Sequence, residues 1–479
     1  MAGENSLKQK TVRGVFWSMV DNFSSQGLSF LFGILLARLL SPSEFGTIAV
    51  LTIFLAVSQT LVNSGFSQAL IRKLDRNEED YTTTFYFNIA VGVACYLVLF
   101  LASPFIADFF KIPELSTILK VIGLVVVLNS FSVIQQAHLL IKVDFKSEAK
   151  VSITSVLLSG SIGLLCAYKG LGVWSLVAQQ LSFALFRMVL LWAIVRWRPR
   201  GGFSKGSFSY LFGFGSKLVA ASLLDTIWNN AYEVVIGRFF SAATLGLYAR
   251  AKTFANFPSG NLTAVFQRVT FPVLSQMQDD TECLRTNYRK VIRMAAFVIF
   301  PLMVLLAVLA KPFVLFLLTE KWAESILLLQ LLCLSMMWFP INMINMNLLQ
   351  VKGRTDLYLK LELVKKLIGV IALAISVPMG VVPMCIATII TSILFIVINT
   401  YYTGKFIQVG FLRQMRDLLP TLLNCAMMAG SVWWVVRYLE HNLVQLLVGT
   451  LTALVCYFLV ARLFRMSELQ ELITILKRR

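Results

Sequence analysis

Apolar residues run through this chain in blocks long enough to cross a bilayer, separated by short polar segments. A membrane-spanning helix needs roughly 20 predominantly apolar residues. Blocks of that kind lie near 14–39, 45–70, 85–108, 117–140, 151–168, 172–195, 208–236, 243–270, 291–313, 325–349, 360–378, 381–402, 418–438 and 443–463. The pattern predicts an all-α polytopic membrane protein with about fourteen transmembrane helices. The seventh and eighth blocks are the ones most interrupted by polar residues. The first is longer than a signal-peptide core and no small-residue cleavage site follows it, so it is expected to persist as a helix.

The chain also resembles itself. Arg38-Leu-Leu-Ser-Pro-Ser-Glu-Phe-Gly46 returns as Arg238-Phe-Phe-Ser-Ala-Ala-Thr-Leu-Gly246, with arginine, serine and glycine at one offset (238 − 38 = 200). Pro104-Phe-Ile returns as Pro312-Phe-Val at 208, and the inward loop Gln276–Arg289 is expected to absorb the difference. Two echoes in the same order indicate a duplication. Each unit then holds six helices, an even number, which gives both the same orientation and predicts a parallel repeat. The expected division is a lobe over 1–200, a second over 201–405, and helices 13 and 14 with a cytoplasmic tail over 406–479. The segment Lys405–Asp417 is expected along the membrane surface, and Ser467–Arg479 as a short amphipathic helix. Within the first echo, Ser41, Pro42 and Glu44 have the spacing of a helix N-cap, first turn and capping box.

Composition agrees with the bilayer as solvent: of 479 residues, 58% are hydrophobic and only 14% charged. The formal net charge of +19 is largely topological. With the N-terminus inside, inward segments collect about 28 Lys and Arg against about eight outside, which places both termini in the cytoplasm. The inward set includes Lys8, Lys10, Arg13, Arg72, Lys73, Lys142, Lys146, Lys150, Arg285, Arg289 and the closing Lys477, Arg478, Arg479. A charge explained by orientation leaves no case for nucleic acid. Seven cysteines fall almost entirely within predicted spans without a CxxC pair, and there are two histidines, so neither a disulfide framework nor a metal site is expected.

Polar groups inside predicted spans carry the candidate chemistry, because an unpaired polar side chain is costly in hydrocarbon. Helix 1 has Ser18, Asn22, Ser25 and Ser29 on one stripe beside Asp21; helix 2 has Thr52, Gln59 and Asn63. Helix 7 carries Ser222, Asp225, Asn229 and Glu233, with Lys217 before them; helix 8 carries Lys252, Asn256, Ser259, Thr263 and Gln267, with Arg250 on an adjacent face. Isolated hydroxyls of this kind commonly join helix to helix. The set as a whole predicts a hydrated cavity between the halves. Lys217, Arg250 and Lys252 outweigh the nearby acids and suit a phosphate or pyrophosphate head group. Arg187, Arg268, Lys365 and Lys366 are expected to reach out to the interface. The candidate substrate-binding residues are therefore Lys217, Arg250, Lys252, Asn22, Gln59, Asn63, Asn229 and Asn256, and the candidates for ion coupling are Asp21, Asp225 and Glu233.

The motif Ala37–Gly46 resembles the opening signature of bacterial polysaccharide-export proteins of the Wzx flippase type, in the multidrug/oligosaccharidyl-lipid/polysaccharide superfamily. Gly172-Val-Trp-Ser-Leu-Val-Ala-Gln-Gln180, Val235-Ile-Gly-Arg-Phe-Phe240, Phe271-Pro-Val-Leu-Ser-Gln-Met-Gln-Asp279, Leu318-Thr-Glu-Lys-Trp322 and Gly353-Arg-Thr-Asp356 continue it over roughly residues 10–400. One departure is Tyr232-Glu233, where such relatives tend to carry Asp-Asn. The resemblance implies two lobes enclosing a cavity lined by helices 1, 2, 7 and 8, and no enzymatic activity or cofactor. It implies as substrate an oligosaccharide repeat unit on undecaprenyl pyrophosphate, moved across the inner membrane by alternating access, with a polysaccharide polymerase as a partner. A lipid II flippase and a multidrug antiporter are rivals within the superfamily, the second disfavoured by the sign of the charge. A polyprenyl-linked glycosyltransferase or polymerase is the rival of another class, and the short outward loops speak against it.

Overall fold

In the computed structural model the backbone is described over residues 2–63 and 65–477, and side chains over 16–63 and 65–474. Lys8, Lys10, Arg13, Lys477, Arg478 and Arg479, used above for orientation, lie outside the described side chains. All regular structure among the described residues is helical. Packing divides the chain into two compact units, one up to Gly246 and one from Leu247 onward. The first unit comprises α1 (Ala2–Leu39), α2 (Pro42–Asn63), α3 (Gly65–Arg72), α4 (Glu78–Phe110), α5 (Glu114–Ile122), α6 (Leu124–Ser130), α7 (Val133–Ile141), α8 (Phe145–Tyr168), α9 (Val173–Val195), α10 (Lys205–Asn229), α11 (Ala231–Phe239) and the first turn of α12 (Ala242–Ser275). The second holds the rest of α12, then α13 (Thr281–Val308), α14 (Ala310–Leu317), α15 (Ser325–Met336), α16 (Phe339–Val351), α17 (Thr355–Ser376), α18 (Val381–Ile407), α19 (Phe411–Val436), α20 (Asn442–Leu463) and α21 (Ser467–Lys477).

Among the described residues, 11 helical segments are long and apolar enough to span a bilayer. The three remaining predicted blocks coincide with α1, α12 and α17. These are full-length helices whose apolar runs are broken by polar and charged residues, such as Asp21 and Asn22 or Lys360 and Glu362. Several blocks are built of consecutive shorter helices. The block 117–140 consists of α5, α6 and α7, and 208–236 is divided at Asn230, whose φ of −108° and ψ of 3° leave the helical region. Two expectations for connecting segments are corrected. Helix α13 begins at Thr281, because Asp280 accepts the backbone N–H of Glu282 and Cys283 at 3.0 and 2.9 Å, so the loop expected over 276–289 shrinks to 276–280. Lys405–Asp417 does not form one segment: α18 runs to Ile407, Gln408 takes a left-handed φ of 59°, and α19 starts at Phe411.

The two copies of the echo at offset 200 take the same course. Each closes one helix at residue 39 or 239, turns through two residues, and opens the next helix at 42 or 242. Ser41 N–H donates to Glu44 Oε2 at 2.6 Å and Glu44 N–H to Ser41 Oγ at 3.4 Å, which is the capping box. Thr244 N–H donates to Ser241 Oγ at 3.1 Å in the second copy. The copies also meet. A Cβ on Gly46 would collide with the Ala242 carbonyl, and one on Gly246 with the Pro42 carbonyl. That contact is reciprocal, i on j and j on i, as at an isologous interface. Glycine is required on both sides because the backbones touch. Gly65 and Gly215 bring α3 and α10 together in the same way, which is why α10 packs with the first unit. The Gly353–Asp356 motif is a local turn: Gly353 has φ 68°, and Arg354 grips Asp356 at 2.9 and 2.7 Å, holding its exposed carboxyl down to about 2.

Candidate functional site

In the first unit, α1 presents Asp21 and Asn22, both half-buried. Asn22 donates back to the Ser18 carbonyl at 2.8 Å. Asp21 lies beside Ser152 of α8 and Arg187 of α9, and its Oδ1 is buried without a partner. Arg187 is not reaching for the interface. It pairs with Glu148 at 3.0 Å, whose same oxygen accepts from Gln136 of α7 at 3.1 Å. The other Glu148 oxygen is buried and unpartnered. Two carboxylates therefore share one guanidinium, a set with one formal negative charge to spare when both are ionised. Sequence reasoning missed Glu148, because it sits in the basic run Lys142, Lys146, Lys150 and reads there as part of a solvated segment.

Gln59 of α2 accepts from Asn129 of α6 at 2.7 Å, so a polar group of the helix-2 stripe is met directly by a neighbouring helix. Thr60 bonds Thr226 of α10 at 3.0 Å, and Asn63 is exposed at the end of α2. On α10, Lys217 is exposed and makes no hydrogen bond or ion pair with a described residue. Asp225 and Asn229 are exposed further along. Eight residues at about 100° each put Lys217 roughly 80° round the helix from Asp225, so it flanks that stripe. Glu233 is separated from it by the break at Asn230 and belongs to α11, where the sequence had suggested one unbroken helix.

In the second unit, α12 is continuous from Ala242 to Ser275 and carries the whole helix-8 stripe. Arg250 is buried, 8% exposed, with the rings of Phe254 and Trp322 each 5.9 Å from its guanidinium carbon. Lys252 is half-buried and Asn256 exposed. Ser259 joins α12 to α15, its Oγ donating to the Met336 carbonyl at 2.7 Å, whereas Thr263 folds back on its own helix and donates to the Ser259 carbonyl at 2.6 Å. Of the candidates, Asp21, Asn22, Gln59, Asn63, Lys217, Asp225, Asn229 and Glu233 fall in the first unit, and Arg250, Lys252 and Asn256 in the second. Among the described residues, no group of three His, Cys, Asp or Glu is placed to hold a metal ion.

A family model described as "Polysaccharide biosynthesis protein" matches residues 35–327, more than half of the sequence. The chain belongs to this polysaccharide biosynthesis family. The match takes in both echoes and every candidate residue except Asp21 and Asn22. Among relatives, the lipopolysaccharide biosynthesis protein WzxC of Escherichia coli (strain K12) is 28% identical over 381 residues, 78% of this chain and 76% of the relative. The succinoglycan biosynthesis transport protein ExoT of Rhizobium meliloti (strain 1021) is 30% identical over 331 residues, 69% of this chain and 67% of the relative. Among solved structures, lipid II flippase MurJ in an inward closed conformation overlays with a TM-score of 0.77 at 14% identity, covering 96% of this chain and 100% of that one. This family member thus has the fold of the multidrug/oligosaccharidyl-lipid/polysaccharide superfamily. It is a polytopic membrane transport protein and not an enzyme.

Proposed function

We propose that this protein is the flippase of a bacterial polysaccharide pathway, carrying an undecaprenyl-pyrophosphate-linked oligosaccharide repeat unit from the cytoplasmic to the periplasmic leaflet by alternating access. The observation that carries this reading is the 30% identity to a polysaccharide transport protein across two thirds of both chains. The product is an O-antigen, capsule or exopolysaccharide, and both termini lie in the cytoplasm. Residues 1–200 and 201–405 act as the two repeated lobes, with 406–479 appended. A polysaccharide polymerase receives the flipped unit.

Chemically, pyrophosphate entering a low-dielectric site needs charge-assisted partners, and Lys217, Arg250 and Lys252 are the cations offered for it. Asn22, Gln59, Asn63, Asn229 and Asn256 supply amides that donate to and accept from sugar hydroxyls. The polyprenyl tail stays in lipid. An inside-negative potential favours outward movement of the anion by roughly 2.3 kcal/mol per charge per 100 mV. Of the three coupling candidates Asp21, Asp225 and Glu233, Asp21 shares Arg187 with Glu148 and leaves one charge for a proton or cation to balance.

Complementation of a flippase-null strain tests the cation assignment. Lys217→Ala with Arg250→Ala and Lys252→Ala should abolish polymer export while the protein remains in the membrane, and Lys217→Arg should retain part of it. Full export by the triple variant would remove the cationic site.

A further inference from the structure

Away from the transport residues, the second unit holds a cavity of ≈ 1040 Å³ between α13, α19, the end of α20 and the start of α21. Its volume suits a lipid headgroup with the first part of its chains. One wall is apolar and open, made by Leu419, Leu423, Met427 and Phe464, all exposed. The other end is polar, with Arg293, Arg416 and Asn424.

The local acids are already matched. Asp417 accepts from Arg289 at 2.6 and 2.5 Å, and Glu471 lies 2.9 Å from Lys290. Glu468 is 3.4 Å from Arg293, but that pair lacks hydrogen-bond geometry and leaves Arg293 Nε unsatisfied. Arg416 is exposed and makes no hydrogen bond or ion pair with a described residue. Asn424 is only 1% exposed. Its Nδ2 donates to the Tyr457 carbonyl at 3.2 Å and approaches Met466 Sδ at 3.8 Å, while its Oδ1 has no partner. Buried polar atoms are almost always bonded, so this acceptor and the Arg293 donor ask for a ligand that supplies both complements.

We propose that this cavity binds an anionic phospholipid with a hydroxylated headgroup, of the phosphatidylglycerol kind. Arg416 and Arg293 hold the phosphate, a headgroup hydroxyl donates to Asn424 Oδ1, and an acyl chain lies over Leu419, Leu423, Met427 and Phe464. A choline headgroup has no donor for Asn424, and both choline and ethanolamine lipids lack net negative charge. A polyprenyl phosphate offers the phosphate without the headgroup hydroxyls. The surroundings agree, because Arg285, Arg289, Lys290 and Arg413 crowd this end of the unit, the inward side by the basic-residue rule, where anionic lipid is concentrated. The bound lipid fastens α19, α20 and α21 to α13.

Native mass spectrometry of the full-length protein, released from micelles doped with one lipid at a time, tests this. Phosphatidylglycerol adducts should exceed phosphatidylcholine adducts by about fivefold or more, as charge-assisted contacts demand. Arg416→Gln should bring the two to the same level, Arg416→Lys should keep most of the preference, and Asn424→Ala should weaken it. Equal adducts for both lipids on the wild type would overturn the assignment, as would a preference unchanged in Arg416→Gln. Stronger retention of undecaprenyl phosphate than of phosphatidylglycerol would overturn it too, by giving the cavity to a polyprenyl lipid.

Discussion

At Gly46 and Gly246 the helix backbones are in contact, and each would-be Cβ falls on the carbonyl of the other copy. Backbone cannot move aside as a side chain can, so Gly46→Ala and Gly246→Ala should each destabilise the protein by about 1–3 kcal/mol. Gly27 in α1 has nothing within 4 Å and serves as the control. Gly27→Ala should leave stability unchanged or raise it by about 0.5–1 kcal/mol. Thermal unfolding in detergent compares the three, and equal melting temperatures would refute the close approach. Arg187 offers a second residue-scale test. Its removal leaves the mostly buried Glu148 carboxylate uncompensated, at a cost of about 2 kcal/mol after allowing for its partial exposure. Adding Glu148→Gln to Arg187→Ala should restore much of that loss, and no rescue would mean the pair does not interact. The capping box at Ser41 and Glu44 was legible in the sequence, since its partners lie three residues apart. The Glu148–Arg187 pair was not, because its partners lie 39 residues apart and only tertiary packing joins them.

At the scale of elements, hydrophobic pattern located helices well and their interruptions poorly. The break at Asn230 falls in the polar stretch from Asp225 to Glu233, without proline or glycine to mark it, and it moves Glu233 onto a separate helix. The stripe on α12 was legible as a stripe, but periodicity alone could not separate Ser259 and Thr263, closed by bonds to backbone, from Lys252 and Asn256. Helix α19 shows what fixes the C-terminal pair in place. Gln414 donates to Asn345 Oδ1 at 2.9 Å and to Tyr288 Oη at 3.1 Å, and Tyr288 donates to Asn345 Oδ1 at 2.8 Å, with all three groups buried. Gln414→Leu removes one member and strands the others, so it should cost about 1–3 kcal/mol. Limited proteolysis of membrane vesicles would show it as earlier cleavage near residues 408–410. Cleavage at the wild-type rate would show that the network does not anchor α19.

For the whole molecule, the polytopic fold and the repeat at offset 200 could be read directly, because bilayer-length apolar blocks and repeated motifs are local properties of the chain. Which polar groups meet a substrate is a property of packing, and the residues named for it remain the proposal to be tested. Orientation is tested through Cys283, which is half-buried at the start of α13 beside the 276–280 turn. In a variant keeping only that cysteine, an impermeant maleimide should label inverted vesicles and spare intact spheroplasts, and the opposite pattern would invert the topology. The central claim is movement of a lipid-linked glycan between leaflets, and reconstitution measures that directly. Purified protein would be placed in liposomes carrying the lipid-linked repeat unit extracted from the flippase-null strain, with an impermeant glycosidase outside reporting each sugar that reaches the outer leaflet. The account predicts that wild-type vesicles expose the inner-leaflet pool far faster than protein-free vesicles and that the Lys217, Arg250 and Lys252 triple-alanine variant does not. Wild-type vesicles that expose it no faster than protein-free ones would contradict it.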